Sequence, residues 1–134
     1  MEPGATHEMR YELREIDLAS TLPVAEGDVF PAVFSTSRMI ALMEICSARL
    51  MKPIVPAGRL SVGVGVDITH LAATPEREEV RIVSTFLGME GKLYRVKVEV
   101  FDRGGKVGEG THTRAVVDAA RLVEGAQRRM AEAR

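Results

Sequence analysis

The chain has 134 residues, 46% hydrophobic and 28% charged, with a formal net charge of -1. That length fits one domain with a buried core, and the charge balance excludes bulk electrostatic recruitment to nucleic acid or an anionic membrane. No apolar run is long enough to span a bilayer, the start MEPGATHEMR lacks a signal-peptide layout, and the lone Cys46 can form no internal disulfide. A cytoplasmic protein without metal or redox cofactor is expected.

Residues 8–18, EMRYELREIDL, alternate as a first strand should. A loop rich in turn formers, LPVAEGDVFPAVF, follows at 22–34. The stretch STSRMIALMEICSARLM, 35–51, then reads as a helix that is apolar almost all round. Ser35 or Thr36 can cap it, because a hydroxyl there accepts a free backbone N–H, and Pro53 and Pro56 stop it. Four strand-like runs come next, at 59–73, 77–89, 92–102 and 106–118, with tight turns at Glu90-Gly91 and Arg103-Gly104-Gly105. In the first run Val62, Val64, Val66 and Ile68 alternate as one apolar face. In the third run Tyr94, Val96, Val98 and Val100 face one way, and Arg95, Lys97 and Glu99 the other. The tail 119–134 is charged and helical. One buried helix among strands that follow one another antiparallel needs a curved sheet to wrap it. The order β-α-β-β-β-β therefore predicts an α+β hot-dog fold, a single domain over 1–134 with its core at about 8–118.

Glu44 is the anomaly in that helix. At about 100° per residue, Arg38, Arg49 and Lys52 share an arc of roughly 60°, while Glu44 falls roughly 120° from Arg38 among Met39, Ile40, Leu42, Met43, Ile45 and Cys46. The residues three and four positions away, Ile40, Ala41, Ser47 and Ala48, offer it no ion pair. A carboxylate placed so must find partners elsewhere, across a subunit interface or at backbone N–H groups, or must line a cavity. His70 continues the even-numbered face of the 59–73 run and so points toward the helix. With Thr36 at the helix start, these residues form an acid–base set on facing elements; taken alone, His70 reads better as a core histidine and Thr36 better as a plain cap. Gly63 and Gly65 weaken a strand, which marks either a close approach or a bend. His112 reads as a structural sheet histidine.

Three segments, VFSTSRMIALMEICSARLM (33–51), SVGVGVDITHLAATP (61–75) and GEGTHTRAVVD (108–118), carry a resemblance. The chain resembles the fluoroacetyl-CoA thioesterase family of hot-dog proteins over about residues 8–118. The combination is specific: Thr eight residues before Glu on the helix, then HxAATP, then GTHxRAxV. The resemblance implies hydrolysis of a small acyl-CoA to free acid and CoA, with Thr36, Glu44 and His70 as the catalytic set. It further implies Gly63 and Arg114 as substrate-binding positions, no cofactor, and a homodimer or larger homo-oligomer with sites at the subunit interface. Arg114 would suit a CoA phosphate or the pantetheine rim. Phe30 and Phe34 lie where the family lines its acyl pocket. A hydratase of the same fold would want an Asp/His pair near asparagines, and the chain has no asparagine. An acyl-CoA-binding module without turnover is the alternative; it would not need Thr36, Glu44 and His70 together.

Overall fold

The computed structural model describes residues 1–134. Five strands form one antiparallel sheet: β1 (Thr6–Glu12), β2 (Arg59–His70), β3 (Glu79–Glu90), β4 (Leu93–Asp102) and β5 (Gly105–Asp118), in the spatial order β1-β3-β4-β5-β2. Helix α1 (Thr36–Met51) packs on one face of this sheet, and α2 (Ala119–Glu132) trails from β5 with no buried residue. This is the predicted hot-dog arrangement, and the predicted strand ends agree to within about two or three residues except at β1. There the alternation stops at Glu12, and residues 15–17 and 19–21 form short 3₁₀ turns instead.

The sheet face follows the two-residue period. Val96, Val98 and Val100 on β4 and Val80 and Ile82 on β3 are fully buried against Met39, Leu42, Met43 and Cys46 of α1. Each such side chain contributes roughly 1.5–3 kcal/mol through burial. The only polar pair in this layer is Ser47 with Ser84, whose hydroxyls sit 3.1 Å apart. The β3–β4 hairpin pairs Glu90 with Leu93, and Gly91 takes φ 60°, a left-handed turn position where glycine has no side-chain penalty.

Strand β2 corrects one expectation. Its pairing with β5 slips between Gly63 and Gly65, so Val64 is an extra, bulged residue. Before the bulge Gly63 opposes Arg114; after it Val66 opposes His112 and His70 opposes Gly108. Cross-strand partners share a face, and Arg114 and His112 are buried against α1. Val66, Ile68 and His70 thus face the helix as expected, but Val62 and Val64 do not. β2 is also an edge strand, and Leu60, Val64, Val66 and, beside them on α1, Ile45 remain exposed.

Candidate active site

The helix start is built so that one hydroxyl is used for structure and the next is spared. Ser35 has extended backbone angles and its Oγ accepts the Arg38 N–H at 3.1 Å, so Ser35 is the cap. Thr36 is left exposed, and its Oγ1 shares a 2.8 Å hydrogen bond with His70 Nδ1 at the end of β2. The ring of buried Phe34 stands edge-on to the imidazole, 6.0 Å between centroids at 79°. His70 Nε2 is buried and has no protein partner. Burial pushes the His70 pKa below its ordinary 6.5, so the ring is neutral near pH 7. A cleft of about 480 Å³ opens here, lined by Val33, Phe34, Thr36, His70, Leu71 and Ala72 among others. It offers an apolar wall beside a neutral imidazole and the exposed hydroxyl bonded to it. Phe34 lines the cleft; Phe30 does not, and is about half exposed.

A second group lies at mid-helix. Glu44 is 45% exposed by side chain, and its Oε1 is 3.5 Å from Nε2 of His112, a residue only 1% exposed. Gly63 is what admits the carboxylate: a Cβ there would collide with Glu44 Oε1 and crowd His112 Nε2. The close approach and the bend that its glycines suggested are therefore both present. Arg114 stands next on β5, 4% exposed. Its Nε and Nη2 donate to the Oγ and backbone oxygen of Ser61 at 3.1 and 2.8 Å, while Nη1 has no partner. That burial sets Arg114 inside the site, out of reach of a phosphate at the surface rim.

The sequence-derived residues therefore fall into two groups. Thr36 and His70 share a hydrogen bond; Glu44, Gly63 and Arg114 are neighbours without one. Within one chain the groups are separate, because eight helical residues span about 12 Å of axis and seven strand residues about 23 Å. Two neighbours of these groups had no site role in the sequence reading. His112, read there as a structural sheet histidine, sits on the same β5 face as Arg114 and beside Glu44. Asp17 is fully buried in a 3₁₀ turn, where the first-strand alternation hid it. Its carboxylate accepts from Tyr11 Oη at 2.7 Å, from the Arg14 N–H at 2.8 Å and from Arg38 Nε at 3.0 Å, and its backbone oxygen accepts from the Ser35 N–H. Arg38, placed by helical geometry on the rim, is thus the strut that fixes the start of α1. No group of three or more His, Cys, Asp or Glu residues is placed to hold a metal ion, and neither helix is long and apolar enough to cross a membrane.

Comparison with known proteins adds the family. The fluoroacetyl-CoA-specific thioesterase family matches residues 17–120. A fluoroacetyl-CoA thioesterase of Streptantibioticus cattleyicolor is 38% identical over 88 residues, 66% of this chain and 63% of that protein, so the aligned segment spans under two-thirds of its length. A solved fluoroacetyl-CoA thioesterase structure superposes with a TM-score of 0.90 at 28% identity, covering 96% of both chains. A thioesterase-superfamily protein of Thermus thermophilus, at 23% identity and a TM-score of 0.84 over 98% of this chain and 93% of that one, shares the fold. With the fold and a family match over residues 17–120, this chain belongs to the fluoroacetyl-CoA-specific thioesterase family.

Proposed function

We propose that the protein is a thioester hydrolase that cleaves a short acyl-CoA to the free acid and CoA, acting as a homodimer with each active site shared between subunits. The observation that carries this reading is the division of the site. Thr36 and His70 form one half and Glu44, Gly63 and Arg114 the other, about 12 Å apart along α1. A two-fold partner set against the exposed β2 edge and Ile45 brings the first half of one subunit to the second half of the other. The apolar cleft beside His70 takes the acyl chain.

The chemistry follows from the parts. Neutral His70 accepts a hydrogen bond from the Thr36 hydroxyl at Nδ1 and carries its own hydrogen on Nε2, which has no protein partner and is free for the thioester. That N–H donates a hydrogen bond to the carbonyl oxygen and polarises it. Glu44 attacks the carbonyl carbon and expels CoA thiolate, the mixed anhydride then being opened by water, or it takes a proton from the attacking water and passes it to the departing sulfur. The buried Arg114 Nη1 holds the negative charge that gathers on the acyl oxygens. None of these steps draws on a metal or redox cofactor.

The test is thiol release from a panel of short acyl-CoAs by the wild type, Glu44→Ala and His70→Ala. Cys46 is buried and burial raises its thiol pKa, so it does not compete for the thiol reagent. Turnover by the wild type with loss of at least about 10²-fold in both variants is expected. Mixing the two dead variants and allowing subunit exchange should restore activity, because one of the two sites in each mixed dimer is whole. Absence of turnover on every acyl-CoA, with binding retained, would instead mark an acyl-CoA-binding module. Activity in the single variants, or silence in the mixed dimer, would break the shared-site assignment.

A further inference from the structure

His112 is the one buried titratable side chain in the second half-site with no assigned task. Both of its ring nitrogens are buried and neither has a hydrogen-bond partner. Such a residue costs stability unless something repays it. Its Nε2 points at Glu44 Oε1 across 3.5 Å, just beyond hydrogen-bond length, and the missing Cβ of Gly63 clears the space between them. The charged groups that face the ring are Glu44 from α1 and Arg114 from its own strand; its cross-strand neighbours, Val66 on β2 and Val96 on β4, are apolar.

We propose that His112 is a positioning residue for Glu44: its Nε2–H closes onto the carboxylate oxygen when the acyl group enters and holds the other oxygen toward the reacting carbon. This rests on the thioesterase reading for its consequence but not for its geometry. The ring must be neutral to leave the carboxylate reactive. Burial and the Arg114 charge keep it so, pushing the His112 pKa below 6.5 against the opposing pull of Glu44. A neutral imidazole with its hydrogen on Nε2 orients the carboxylate without locking it in an ion pair. Arg114 is tied to Ser61 through Nε and Nη2, and its remaining Nη1 makes no hydrogen bond to Glu44.

Two readouts test this. In the first, the ring ¹⁵N signals of His112 are titrated in the wild type and in Glu44→Gln. The midpoint should fall in Glu44→Gln, because the one neighbour that raises it has lost its charge. An unmoved midpoint would overturn the contact, whether or not the protein turns over any acyl-CoA. In the second, His112→Gln and His112→Leu are compared on the best substrate. The glutamine amide reaches the Nε2 position; leucine fills the space without donating. His112→Leu should lose about 10²-fold in kcat with KM nearly unchanged, and His112→Gln should recover most of it at similar thermal stability. Equal losses in both variants, or wild-type kcat in His112→Leu, would reduce His112 to a core histidine.

Discussion

The two half-sites share a helix and a strand yet are finished to different degrees. At the start of α1 the parts are bonded: Ser35 caps, Thr36 and His70 share a 2.8 Å hydrogen bond, and Asp17 braces Arg38 beneath them. At mid-helix the functional atoms only approach. Glu44 and His112 stand 3.5 Å apart, Arg114 keeps one free nitrogen, and the carboxylate is nearly half exposed. The lesson is about preorganisation. The Thr36–His70 pair is fixed by folding alone. The group around Glu44 is held in shape only by its walls, with no hydrogen bond between its polar side chains.

Disturbing the brace should give the largest effect. Asp17→Asn removes the charge that Arg38 answers in a fully buried position, and should cost about 3 kcal/mol in urea unfolding. A cost near zero would mean that the start of α1 is fixed by packing, and the contrast between the halves would lose its basis. Gly63→Ala acts on the looser half. The new methyl meets the far end of the Glu44 side chain, which can swing away, and the Gly63 backbone is not in the left-handed region. Stability should barely change while kcat falls about 10²-fold. An active Gly63→Ala would show that the Glu44 position is not critical.

The smallest effect is in acid. His70 and His112, one from each half, are both held below 6.5, first of all by burial. As pH falls, the unfolded chain takes up these protons before the folded one does. The stability given by the neutral rings is complete above the ordinary histidine value and is lost as pH drops through their folded values. Urea midpoints should therefore decline below pH 6.5, and replacing both histidines by glutamine should flatten that decline. An unchanged slope would place the acid sensitivity in the carboxylates.

Much of this was readable in the residues. The long apolar helix, the alternating valines of β4 and the glycine turns sufficed for the fold, since each is a local pattern with one favoured structure. Glu44, His70 and Thr36 were readable because they break a pattern or extend one. Asp17 was not, and His112 was readable only as a structural sheet histidine. A buried carboxylate in a 3₁₀ turn has no periodic signature, and a histidine two residues from an arginine on a strand becomes informative only when the helix that faces it is known. The choice of Ser35 over Thr36 as cap was likewise open, because both can accept the same N–H; the turn that fixes Ser35 against Asp17 decides it.

The bulge at Val64 has a simple arithmetic. Gly63 and His70 are seven positions apart, an odd number, and on an unbroken strand an odd separation puts two residues on opposite faces. Both are needed on the same face, one to admit a carboxylate and the other to meet a threonine. The single looped-out valine changes the parity of everything after it. Deleting Val64 would leave every functional residue in the chain and still turn either the glycine or the histidine away from the helix, so in this strand the count between two residues matters as much as their identity.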